Sequence, residues 1–200
     1  DCHGQWSELD NRLISIIKPD VVLFVGDISD GNIKILKKIN SLEIPSFIIL
    51  GNHDRVWDKS GEKLEKQIRL LREKFCGWDL KVFKNSINIM GARPCSSGGG
   101  YYLSKEVSGF YGPISEDQSV EKLINCSQKA IKDLPFIILA HAGPLGLGSE
   151  SSSICGKDWK EPSTDWGDRD LSRAITKIQK VQFINLVVFG HMHKILKRNL

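Results

Sequence analysis

The placement of histidine constrains this chain more than any other feature. All five, His3, His53, His141, His191 and His193, lie in short polar segments: Asp1-Cys2-His3-Gly4, Gly51-Asn52-His53-Asp54, His141-Ala142-Gly143 and Gly190-His191-Met192-His193. A further segment, Gly26-Asp27, has the same character without a histidine. Those starting at positions 26, 51, 141 and 190 directly follow or close apolar runs at 20–25, 46–50, 136–140 and 186–189, each of which reads as a strand. The segment at the chain start is expected to have lost the strand that preceded it. Scattered surface histidines do not cluster in this way, so the fold must bring several strand ends together.

Between these runs the apolar pattern switches to helical periodicity. Helices are expected at 6–17, ending before Lys18-Pro19, at 32–40, and at 61–75 with Leu64, Ile68, Leu71 and Phe75 on one stripe. Ser115 and Gln118 form a capping box for a helix reaching about position 131, and a last helix runs over 170–180. Residues 80–83 and 87–90 read as two strands joined by a short turn. Strands alternating with helices predict α/β layers with a largely parallel sheet, whose active residues lie beyond the strand C-termini. Residues 93–111 and 143–170 read as long loops, one glycine-rich at 98–100 and the other carrying Trp159 and Trp166. Those tryptophans are expected to anchor their loop on the domain, although stacking on a base or sugar is the alternative.

Two hundred residues, 40% apolar and 26% charged, suit one globular domain, expected to span 1–200 and to lack strands at both ends. A net charge of +4 suits an anionic substrate but not a dedicated nucleic-acid surface. Cysteines at 2, 76, 95, 126 and 155 form no C-x-x-C pair and read as reduced thiols. No apolar run approaches the roughly 18 residues that span a bilayer. The expected location is therefore the cytoplasm, or the plastid stroma if a transit segment was removed.

Taken singly, each polar residue has an ordinary structural reading, since Asp and Asn close strands and cap helices through local hydrogen bonds. Together they offer imidazole nitrogen and carboxylate oxygen, which suit zinc, manganese or iron better than calcium or magnesium.

The ordered blocks D-x-H, G-D-x-x-D, G-N-H-D, a later lone His and G-H-x-H resemble the calcineurin-like metallophosphoesterases, over a stretch from Asp1 to His193. The resemblance implies an α-β-β-α sandwich with mixed sheets and two divalent ions (Mn, Fe or Zn). By carry-over, Asp1, His3 and His193 serve one ion, Asn52, His141 and His191 the other, and Asp27 bridges both. His53 then donates a proton or stabilises the transition state, with Asp30 orienting its ring, while Asp54 supports the loop. Two such ions about 3.5–4 Å apart share a water, lower its pKa from about 15.7 towards 7, and make a bridging hydroxide the nucleophile on a phosphomonoester or phosphodiester.

Serine/threonine protein phosphatases of this superfamily read G-D-x-x-D-R-G, whereas here Gly31 follows Asp30 directly, so the phosphate-gripping arginine is absent. Arg55 is either its substitute or a solvated surface charge. The G-H-x-H ending resembles bacterial phosphodiesterases and small-molecule phosphatases, with a cyanobacterial and plastid branch nearest. Cys2, between two candidate ligands, is expected to pack beneath the site. Lys194, Lys197 and Arg198 are read as solvated charge. The substrate is expected to be a small phosphate ester, with no membrane partner, and the oligomeric state is left open. A structure-selective nuclease and a catalytically silent interaction scaffold are the alternatives on the same fold.

Overall fold

A computed structural model describes residues 1–193, and Lys194, Lys197 and Arg198 lie outside the described residues. The elements are α1 (Glu8–Ile17), β1 (Val22–Phe24), α2 (Ile33–Asn40), β2 (Ser46–Ile48), α3 (Glu62–Leu71), β3 (Leu80–Phe83), β4 (Ile87–Gly91), α4 (Lys105–Tyr111), α5 (Glu116–Ser127), β5 (Phe136–Leu139), α6 (Arg169–Ile178) and β6 (Leu186–Val188). They build a layered α/β fold with two sheets. One holds β1 and β2 in parallel, and the other runs β3-β4-β5-β6. Within the larger sheet β3 pairs antiparallel to β4, and β4, β5 and β6 run parallel, so the sheet is mixed.

Local chemistry explains most boundaries. Ser7 and Asp10 make a capping box at the start of α1, which ends at Lys18 in left-handed backbone just before Pro19. The Asn32 side chain accepts from the Lys34 amide at the start of α2. In α5 the expected box is present: the Gln118 amide donates to Ser115 Oγ at 3.2 Å and the Ser115 amide to Gln118 Oε1 at 2.7 Å. The β3–β4 turn places Lys84 and Asn85 at φ 47 and 51, the doubly left-handed geometry whose twist matches a tight hairpin.

One element departs from the sequence reading. Helix α4 lies inside the 93–111 segment expected to be a loop, and its seven residues are too few to display an apolar repeat. Ser104 caps it by accepting from the Val107 amide at 3.3 Å. Gly109, which lowers helix propensity, is what lets α4 close on the chain before α3, since a Cβ there would stand 2.5 Å from the Ser60 carbonyl oxygen.

The strands supply the centre of a continuous apolar core in which Ile48, Ile49, Leu50, Phe136, Ile138 and Leu139 are wholly buried, with Leu36, Leu64 and Leu123 from the helices. Burying each such side chain is worth about 1.5–3 kcal/mol relative to leaving it in water. Helices α5 and α6 pack on each other and are clamped by ion pairs of 2.6 Å from Arg169 and Arg173 to Glu116. No disulfide forms among the described residues, and burial pushes the Cys76 thiol up to about 12, which leaves it inert. Among the described residues no helix is long and apolar enough to cross a membrane. The segments after β1, β2, β5 and β6 thus carry Asp27, Asn52, His53, His141, His191 and His193.

Candidate metal centre

Asp27 sits at the middle of the site. Its backbone turns left-handed (φ 45), and its carbonyl oxygen accepts the amides of Cys2 and His3 at 2.9 and 2.7 Å, which seats the chain start beside β1. Cys2 is partly buried and packs against the core. Gly26 and Gly51 leave room for this approach: a Cβ on Gly51 would collide with the Asp27 carboxylate, and one on Gly26 with the His141 ring. Asp27 Oδ1 accepts the His53 amide at 2.8 Å. Burial alone would raise the Asp27 pKa, but the His141 ring and the His53 amide and ring hold it down to about 2.

On the buried side, His141 is wholly inaccessible. Its Nδ1 donates to the Val25 carbonyl at 2.7 Å. In the neutral ring that bond keeps the proton on Nδ1 and leaves a lone pair on Nε2, 2.9 Å from Asn52 Oδ1 and 3.3 Å from Asp27 Oδ2. Three acceptors that close repel unless a second ring proton or a cation stands among them. His191 completes this group with Asp27 and His141, their donor atoms lying within 4.8 Å of one another. Burial, with repulsion from His141 and His193, lowers the His191 pKa to about 4, so the ring is neutral and open to coordination at neutral pH.

The outer side repeats the arrangement with more water around it. His3 Nδ1 is pinned by Asp30 Oδ1 at 3.1 Å, leaving Nε2 3.2 Å from His193 Nε2 and 3.8 Å from Asp27 Oδ2. His193 Nε2 is also 3.5 Å from Asp1 Oδ2, and that same oxygen accepts the His191 amide at 2.7 Å. Here again nitrogen and oxygen lone pairs crowd one point, as ligands of an ion with bonds near 2 Å must. The donor set on both sides therefore fits a transition-metal pair. Four of the candidate residues, His3, Asp27, Asp30 and His191, hold left-handed backbone, an arrangement that costs about 1 kcal/mol or more at each and collects at functional sites.

One assignment shifts. Asp30 does not turn to His53: its carboxylate goes to His3, because its own left-handed turn (φ 48), followed by Gly31 (φ 77) packed on Val56, aims it at the chain start. His53 is exposed, edge-on to His3 at 5.0 Å, and offers a ring nitrogen within 4.8 Å of His3 and Asp27. Asp54 takes the role expected of it as a loop support. Wholly buried, it accepts the amides of Ile28 (3.1 Å), Ser29 (2.9 Å) and Gly51 (3.0 Å), lacing the loops after β1 and β2 together. Arg55 lies over the Trp57 ring at 4.8 Å and reaches Ser97 Oγ at 3.5 Å.

A buried ionic network behind the site had no counterpart in the sequence reading. Arg93 Nη2 donates to Asp168 Oδ1 at 2.7 Å and Arg93 Nε to Asp170 Oδ2 at 3.0 Å, while Ser96 Oγ donates to Asp168. Ser97 follows, and its carbonyl stands 3.1 Å from His191 Nε2 and accepts the Trp166 indole at 2.9 Å. Desolvation pushes Asp168 up to about 7, against the pull of Arg93. The only sequence trace of this network is a set of charged residues at loop edges, some 75 positions apart.

A family model described as calcineurin-like phosphoesterase matches residues 1–195. A curated relative, "Probable glycerophosphodiester phosphodiesterase GpdQ" of Arcobacter nitrofigilis, is 24% identical over 188 residues, which cover 89% of this chain and 58% of the relative. The chain thus spans under two thirds of that protein's length. A crystal structure 12% identical superposes with a TM-score of 0.57 over 96% of this chain and 81% of its own, a likeness of fold alone. The crystal structure of TT1561 of Thermus thermophilus, also 12% identical, superposes at 0.49 over 89% of this chain and 72% of its own.

Proposed function

The chain belongs to the calcineurin-like phosphoesterase family, and from that premise we propose that it hydrolyses a small phosphate ester at a pair of divalent ions, Mn, Fe or Zn. Asp1, His3 and His193 hold one ion, Asn52, His141 and His191 the other, and Asp27 stands between them. One observation carries this reading: a single carboxylate oxygen, Asp27 Oδ2, lies 3.3 Å from His141 Nε2 and 3.8 Å from His3 Nε2. When bound, the ions supply Lewis acidity towards phosphoryl oxygens and towards water.

The rest falls to side chains of this chain. Val25 O and Asp30 hold the Nδ1 protons of His141 and His3, so both Nε2 atoms stay available. Asn52 adds an oxygen donor without adding a negative charge to repel the substrate. His53, on the open side, supplies a ring proton to the departing ester oxygen. Likeness to a probable phosphodiesterase, at 24% identity, favours a diester, and the small net charge favours a small molecule over a nucleic acid.

The test is to load the purified chain with Mn²⁺, count ions by elemental analysis and assay p-nitrophenyl phosphate and bis-p-nitrophenyl phosphate. Two ions per chain and turnover of at least one ester are expected. His53→Ala should then lower kcat about 10²–10⁴-fold with the ion count unchanged. A fully loaded protein that turns over neither ester overturns the enzymatic reading in favour of an interaction scaffold.

A further inference from the structure

A cleft of about 210 Å³ adjoins the candidate metal ligands, walled by His191, His193, Asp158, Trp159 and Met192. Trp159 does not anchor its loop: it is 57% exposed. Anchoring falls to Trp166, whose indole N–H holds the Ser97 carbonyl and whose ring covers Gly98 and Gly99 so closely that a Cβ on Gly99 would stand 2.9 Å from it. Trp159 meets that fixed ring edge to face at 5.3 Å and 83°, so it is positioned while staying in water. Other large apolar side chains are exposed on this surface, but Trp159 lines the same cleft as the candidate ligands His191 and His193, where a bound ester could cover it.

We infer that Trp159, with Met192 beside it, forms the subsite for the organic group of the ester, and that this group is a flat aromatic ring, an aryl or a nucleobase, stacked on the indole. This rests on the proposed function, in which His193 and His191 each hold one ion of the phosphate-binding pair, because an ester seated there sends its substituent into the adjoining space. The cleft is smaller than the 300–1,000 Å³ or so of a pocket that takes a whole ligand, and suits a single ring. Stacking on an aromatic face tolerates any planar ring and needs no hydrogen-bond code.

The experiment compares phenylphosphonate with methylphosphonate, which share the phosphoryl group and are not hydrolysed, by calorimetric titration of the Mn²⁺-loaded chain. Phenylphosphonate should bind the natural protein about tenfold or more tightly. Trp159→Ala should abolish that preference and leave methylphosphonate binding within about twofold, a change that loop collapse would not confine to one ligand. Trp159→Phe should keep most of the preference. No preference in the natural protein, or equal weakening of both ligands by Trp159→Ala, overturns the subsite and leaves the metal centre standing. Failure of both phosphonates to bind fully loaded protein overturns the metal-centre reading together with it.

Discussion

The buried and the outer halves of the candidate centre follow one rule with different materials. In each, an imidazole is pinned at Nδ1 by an oxygen so that Nε2 faces Asp27. For His141 the pin is a main-chain carbonyl, and neither ring nor carboxylate sees water, their side chains being 0% and 2% exposed. For His3 it is the Asp30 side chain, and the two groups are 29% and 40% exposed. A carbonyl at the end of β1 has no freedom to leave, whereas a half-exposed carboxylate does. On the proposed two-ion reading the buried half is therefore pre-organised and the outer half adjustable, so two bound ions should differ in affinity.

The change that breaks this comparison altogether is Asp27→Asn, because one oxygen of that carboxylate faces the Nε2 atoms of both His141 and His3. It should cost about 10³-fold or more in kcat/KM, beyond the effect of losing a residue that merely supports a ligand. Elemental analysis should find fewer than one ion per chain. Retention of two ions at natural affinity would mean that Asp27 is not shared.

Asp30→Ala instead separates the halves. Without its carboxylate the His3 ring loses orientation and basicity, so the outer ion should bind about 10–100-fold more weakly while the buried ion is unaffected. A two-step Mn²⁺ titration reads both affinities, and an equal fall in the two would show that the halves are not independent. Had Asp30 oriented His53, as the family resemblance implied, proton delivery would suffer and metal affinity would not.

What was legible in the sequence follows from what lies next to what along the chain. Asp27, Asn52, His141 and His191 come together because each follows an apolar strand, and strand ends are local signals. The Ser115–Gln118 capping box of α5 is equally local. Asp30 was legible as a residue near the site but not in its direction, which is set by left-handed backbone at Asp27 and Asp30 that no side-chain pattern reports. Helix α4 was missed for want of length, and it depends on Gly109 meeting residues 59–60, a tertiary contact. The network of Arg93 with Asp168 and Asp170 was beyond reach, since partners 75 and 77 positions apart leave no spacing to read.

That network gives the smallest expected effect and tests how the buried half is held. Asp168 is wholly desolvated, and its carboxyl is raised to about 7 against an ordinary value of about 3.9 in the unfolded chain. Between those values the folded protein binds one more proton than the unfolded chain. Stability from this group is therefore complete below about pH 4, declines as the pH rises, and is gone above about 7. Asp168→Asn keeps an oxygen for Arg93 and Ser96 but cannot titrate, so urea midpoints measured from pH 5 to 8 should lose that slope. An unchanged slope would mean that Arg93 holds Asp168 ionised throughout. Because Ser96 still has its acceptor, Ser97 stays beneath His191, and activity at pH 8 should fall by no more than about threefold, within the roughly 1 kcal/mol of one neutral hydrogen bond. A larger loss would show that the Asp168 charge itself acts on the buried half, whose His141 lies within its field.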